Sequence, residues 1–197
     1  MINFAIKYYI LSIKRLTNCM TEYEIEIRKL AEEEENKVFY NSSKSHARIV
    51  LNSMVQHAEH YVYAVCGNYC SEVSCNPEFS KIVAEYLSGG EDREFHVLFD
   101  EYNPDFLNTD IAKIFAQNPK KVKIRKFKDN GRLTYKGDRV HLTISDDRAF
   151  RLETNVDDRI AFGNFNDKKN VKVFKEVFTH YFSNDDFSEP IDLYNVS

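Results

Sequence analysis

Residues 138–154 read DRVHLTISDDRAFRLET. Two alternating apolar and polar runs, Asp138 to Ser145 and Ala149 to Thr154, flank the turn Asp146-Asp147-Arg148. That pattern predicts a β-hairpin. Downstream, Ile160 to Gly163 reads as one more short strand. Asp167 then caps a terminal helix whose Val171, Phe174, Val177, Phe178 and Tyr181 recur at helical spacing. From Asn184 the chain reads as a loose or docked tail.

Upstream, the hydrophobic period changes between 3–4 and short runs. Ser43 or Ser45 caps a helix carrying Ala47, Val50, Leu51, Met54, Val55 and Ala58. Met54 belongs to that apolar stripe and reads as core. Tyr61 to Cys66 reads as a buried strand ended by Gly67. Asn76-Pro77 opens a helix that Gly89-Gly90 stops. Glu94 to Phe99 is a second strand, Phe106 to Ala116 a further helix, and Val122 to Phe127 a third strand. Helices alternating with strands imply parallel pairing through right-handed crossovers. The expected fold class is α/β, a mixed and mostly parallel sheet with helices on both faces and an N-terminal helical arm. The expected division is an arm over 1–37, a body over 38–183 and a tail over 184–197.

The arm has two parts. Asn3 to Ile13 is nearly all apolar but too short to span a bilayer, which needs about 20 residues. It reads first as a segment packed on its own core or on a twin subunit, with a membrane-surface helix as the alternative. Met20 to Lys37 reads as a solvated helix, and Met20 is a second possible start. The whole chain has 197 residues with 15 Phe and 12 Tyr, which excludes intrinsic disorder as the default. Its four cysteines, with no secretory signal before them, point to free thiols in a reducing cytoplasm.

Within the hairpin, Arg139-x-His141-x4-Asp146, then six residues, then Glu153-Thr154, resembles the phospholipase D-like superfamily. The pattern of that superfamily is His-x-Lys-x4-Asp followed six residues later by Gly-Ser, and small single-motif members pair two chains across a two-fold axis. Aligned on Asp146, the nucleophilic His falls on Arg139, the phosphate-binding Lys on His141 and the Gly-Ser pair on Glu153-Thr154. Aligned on His141, the Lys falls on Thr143 and the Asp on Arg148. The resemblance covers about residues 40–183 and includes the ending Ala161-Phe-Gly-Asn-Phe-Asn166. It implies a metal-independent chemistry with no cofactor, in which one His attacks phosphorus and a second acts as general acid. A guanidinium at position 139 can hold a phosphate but cannot attack it.

The expected function is therefore a degenerate domain that acts by binding, as a homodimer or a subunit of a nucleic-acid-processing or host-defence assembly. The rival is a phosphodiesterase or nuclease using His141, with Arg139 and Asp146 in support. A third reading is an interaction subunit working through the N-terminal arm. The bland reading of Arg139, Asp146, Arg151 and Glu153 is a set of cross-strand pairs on a solvated face.

The chain as a whole is acidic, with a net charge of −4, yet residues 119–139 hold nine basic and two acidic residues. Lys121, Lys123, Arg125, Lys128, Arg132, Lys136 and Arg139 are the candidate phosphate contacts, with Phe127 and Tyr135 placed to stack on bases. A solvated strand face or an acidic protein partner would use the same residues. Cys66-x3-Cys70-x4-Cys75 does not have the spacing of a zinc knuckle, and Asp100, Glu101 and Asp105 read as an acidic loop rather than a cation site, so no metal is expected. No glycine-rich phosphate loop, Gly-x-Ser-x-Gly elbow or His-Glu-x-x-His is present.

Overall fold

The computed structural model describes residues 20–67, 69, 71–129 and 131–193. The apolar segment Asn3 to Ile13 and Cys70 lie outside the described residues. Five α-helices are present among those described: α1 (Glu22–Glu32), α2 (Lys44–Gln56), α3 (Pro77–Ser88), α4 (Asp110–Ala116) and α5 (Lys168–Phe182). The strands are β1 (Phe39–Asn41), β2 (Tyr61–Cys66), β3 (Glu94–Phe99), β4 (Val122–Phe127), β5 (Thr134–Tyr135), β6 (Asp138–Arg139), β7 (His141–Ser145), β8 (Ala149–Asn155), β9 (Ile160–Asn164) and β10 (Ser188–Pro190).

Eight strands form one mixed sheet in the order β1-β9-β8-β7-β2-β3-β4-β10, and β5-β6 form a separate two-stranded ribbon. Parallel pairing is confined to β2-β3 and β3-β4. The other five pairings of that sheet are antiparallel. The sheet is thus mixed as expected, but its parallel part is only the centre. The reason is that β7, β8 and β9 form consecutive hairpins laid antiparallel beside β2, while the short strands β1 and β10 close the two edges. The expected strand from Asp138 to Ser145 is also divided: Val140 separates β6, which pairs with β5, from β7, which pairs with β2 and β8.

Capping residues define the helices. Ser43, Asn76 and Asp167 each accept a backbone N–H of their helix's first turn. The expected helix over 106–116 is split, because Thr109 caps α4 after a 3₁₀ turn over Pro104–Asn108.

Helices cover both faces. Val62, Phe95, Val97, Phe99, Val122 and Ile124 pack under α3 and α4 through Phe79, Val83, Leu87 and Phe115. On the opposite face, Leu142, Ile144, Phe150 and Leu152 pack against Val171, Phe178 and Phe182 of α5. Side chains alternate between the two faces along each strand, as its period of two requires. Fully burying one such Phe contributes about 1.5–3 kcal/mol. Helix α1 is not wholly solvated: Ile27, Leu30 and Ala31 join Phe39, Val50, Met54 and Phe165 in a third cluster. The tail is docked, with β10 pairing to β4 and Ser188 fully buried. Among the described residues, no helix is long and apolar enough to cross a membrane.

Candidate functional site

The hairpin β7–β8 places the site. Its register sets His141 opposite Glu153 and Thr143 opposite Arg151. These four side chains share the sheet face that α2 covers, and all are buried. The solvated-face reading of Arg151 and Glu153 is therefore corrected: both are under 5 % exposed. The hairpin alternates between an apolar layer beneath α5 and a polar layer beneath α2.

The polar layer is a connected network. The Glu153 carboxylate accepts from His141 Nδ1 at 2.9 Å and from Arg151 Nη2 at 2.7 Å. Arg159 Nη1 stands 3.5 Å from the same carboxylate. Arg151 Nε donates to Asn41 Oδ1 at 3.0 Å, and Asn41 Nδ2 donates to the Arg159 carbonyl at 2.8 Å. Burial alone would push the Glu153 carboxyl up, but the His141 hydrogen bond and the charge and hydrogen bond of Arg151 prevail and hold it at about 2. Glu153 is then an anion that fixes the proton of His141 on Nδ1 and leaves Nε2 directed away from it.

That second nitrogen faces Asp100, which follows the end of β3. His141 Nε2 lies 3.9 Å from Asp100 Oδ2. Arg139 and Arg132 approach the two Asp100 oxygens at 3.4 and 3.5 Å, and Arg139 also pairs with Glu101. Burial pushes the Asp100 carboxyl up, and the nearby His141, Arg139 and Arg132 oppose that push. Among the described residues, His141 Nε2 and both Asp100 oxygens have no hydrogen-bond partner. Beside them opens a cavity of about 180 Å³ lined by His141, Arg139, Arg151, Glu153, Arg159, Thr143, Ser71, Ser74 and Cys66, among others. It sits beyond the C-terminal ends of the parallel strands β2 and β3, where open α/β sheets hold ligands. Burial pushes the Cys66 thiol well up, so it is an inert wall.

The predicted site residues separate. Arg139 and His141 both line the cavity. Asp146 does not: it sits at the far end of β7 in the left-handed region, φ 52°. Its carboxylate accepts the backbone N–H groups of Glu59, His60 and Tyr61, which ties the hairpin turn to the start of β2. The basic stretch also disperses. Lys121 donates to the Leu87 and Gly90 carbonyls, closing the end of α3. Arg125 bonds Ser188 and pairs with Asp185, while Lys128 donates to the Asp185 carbonyl. Arg132 and Arg139 turn inward to Asp100, and Lys123 and Lys136 stay exposed. Sequence reading missed Asn41 and Arg159, which meet the site only through long-range packing. Among the described residues, no group of three His, Cys, Asp or Glu side chains is arranged to hold a metal ion. His96 lies on the α5 face, stacked between Tyr63 and Phe182.

Chemically, the cavity offers one imidazole oriented by a carboxylate, flanked by guanidinium groups. Of the six histidines in the chain, only His141 lines it.

The mixed sheet with helices on both faces is similar in fold to phospholipase D-like α/β structures. Solved structures share it. TrmBL2, described as an archaeal chromatin protein with a novel mode of DNA binding, aligns at a TM-score of 0.57 and 13% identity over 96% of this chain and 68% of that one. NucT from Helicobacter pylori aligns at 0.50 and 14% identity over 74% of this chain and 94% of its own. Phosphatidylserine synthase from Haemophilus influenzae Rd KW20 aligns at 0.50 and 6% identity over 79% of this chain and 39% of its own. At these identities the likeness is one of fold. No protein-family model and no curated protein matches the sequence.

Proposed function

We propose that this chain is a degenerate phospholipase D-like domain that binds nucleic acid without cleaving it. It works as a homodimer or as a subunit of a nucleic-acid-processing or host-defence assembly in the cytoplasm. One observation carries the reading: Arg139, on which the nucleophilic histidine falls when the motif is aligned on Asp146, has its guanidinium paired with Asp100 and Glu101. A guanidinium does not act as a nucleophile at neutral pH. DNA binding by TrmBL2, on the same fold, supports the binding half of the proposal. Arg139 and Arg159 are the cavity's anion contacts in this reading, and Asp146 is a structural anchor.

The test is phosphodiester cleavage of single- and double-stranded DNA and RNA in EDTA, run beside a binding assay on the same preparations. Binding without cleavage is the expected result. A second reading, a metal-independent phosphodiesterase, draws on the Glu153–His141 pair, which resembles an oriented general base. EDTA-resistant cleavage that disappears in His141→Ala would establish that second reading and overturn the first.

A further inference from the structure

The cations of this chain divide by what they touch. Of the nine basic side chains between residues 119 and 139, Lys121, Arg125, Lys126, Lys128, Arg132 and Arg139 are held by carbonyls, hydroxyls or carboxylates. They serve the fold and the cavity. Lys168, Lys169 and Lys172, like Lys120 and Lys123 of that stretch, have no such partner among the described residues. The first three are exposed on the first turns of α5, and no ion pair or hydrogen bond engages their ammonium groups among the described residues. The adjacent carboxylate, Asp167, is occupied as the helix cap by Asn170. Farther along, Lys175 is held by Asp147 over the Tyr61 ring.

Several features define what this surface can take. Lys168 and Lys172 are one helical turn apart, about 6 Å along the axis, with Lys169 beside them. Positive charge at a helix N-terminus opposes the helix dipole, so these lysines do not stabilise α5. The apolar stripe of the helix, with Val171, Phe178 and Phe182, is already buried against the sheet. Only Val173 is a large exposed apolar residue on α5. A helix that lies in a membrane needs a free apolar face, and a stable protein interface needs an apolar centre. Phosphate backbones need neither, because charge neutralisation and counterion release supply the affinity. The cavity lies across the sheet from α5, so this surface is separate from it.

We propose that Lys168, Lys169 and Lys172 form the contact surface for the phosphate backbone of a nucleic acid. The proposal rests on the nucleic-acid reading above and adds a second contact surface to the anion contacts of the cavity. The test is fluorescence anisotropy with labelled duplex and single-stranded DNA and RNA over a salt series, using the full chain and its Lys168→Gln/Lys169→Gln/Lys172→Gln variant. Three lost phosphate contacts should lower the slope of log affinity against log salt by about 2–3 and weaken binding at low salt by on the order of 100-fold. Circular dichroism of these surface variants reports whether the fold is kept. An unchanged slope in the folded triple variant would overturn the proposal. So would loss of the slope in Lys120→Gln/Lys136→Gln in its place. If the wild type binds neither DNA nor RNA at low salt, the nucleic-acid reading itself fails. Wild type that binds anionic phospholipid vesicles but no nucleic acid would overturn both as well.

Discussion

Replacing Glu153 with Gln tests the site's electrostatics directly. The side chain is buried, with the residue 2 % exposed, and its carboxylate receives His141 Nδ1 and Arg151 Nη2, with Arg159 nearby. Its folded pKa of about 2 lies below the ordinary 4.5. A depressed carboxylate stabilises the fold at pH above its unfolded value and loses that contribution as pH falls from about 4.5 towards 2. At about 1.4 kcal/mol per pH unit, the shift corresponds to about 3 kcal/mol. Glu153→Gln keeps the shape but removes the charge, leaving the Arg151 guanidinium buried without its anion. Breaking a buried pair on one side costs about 3–5 kcal/mol. Urea unfolding at pH 7 should therefore show a loss of about 3 kcal/mol in the variant. Repeated at lower pH, wild type should lose stability below about pH 4.5 while the variant's profile is flatter and the two converge. A loss under about 1 kcal/mol at pH 7, or parallel acid limbs in the two proteins, would refute the anionic network.

Other perturbations address other parts of the molecule. His96 is buried between Tyr63 and Phe182, and burial lowers its pKa to about 4. The unfolded chain then binds the extra proton between pH 6.5 and 4, so wild-type stability should fall across that window, and His96→Phe should flatten it in urea titrations. Asp146→Ala leaves three backbone N–H groups without their acceptor and should cost about 3 kcal/mol or more, with Asp146→Asn costing less; thermal unfolding reads both. Nucleic-acid affinity of the folded fraction should be unchanged by either, and a loss of about tenfold there would return Asp146 to the binding machinery. Glu101→Gln releases Arg139 from its exposed partner and should strengthen phosphate or oligonucleotide binding up to about fivefold by calorimetry. Weaker binding in that variant would mean the carboxylate itself contacts the ligand.

Much of the architecture was legible because local signals and tertiary structure agree. The strands over 61–66, 94–99 and 122–127 lie where short apolar or alternating runs put them, and Ser43, Asn76 and Asp167 cap the helices they precede. Two elements left no such mark. β1 and β10 are three residues each and exist through their pairing to β9 and β4. Segments that short carry no readable period, and their assignment depends on partners far away in the chain. That pairing, together with the antiparallel run β2-β7-β8-β9, gives the excess of antiparallel neighbours over the parallel ones that helix–strand alternation suggested. In the hairpin, the turn at Asp146-Asp147-Arg148 was legible, while the pairing of His141 with Glu153 comes from the structure. Which face is covered was not legible, because the cover is α2, a separate element.

That cover gives the polar layer its meaning. Arg151, Glu153, His141 and Asn41 sit in a region where apolar side chains of similar volume would pack at least as stably, since removing charges from water offsets most of their attraction. Their hydrogen bonds are satisfied on the Glu153 side and left open on the side of His141 Nε2 and Asp100. A network built only to hold the hairpin would close both sides. One closed side and one open side is the arrangement of a positioned group, with Glu153 and Arg151 fixing the imidazole and the cavity receiving its free nitrogen. In the proposed reading, Arg139, tethered to the same Asp100, adds a guanidinium for an anion beside that free nitrogen. Departure from the hydrolytic pattern is then compatible with a fully built buried network, because holding an anion needs the same rigidity that orienting a reacting histidine would.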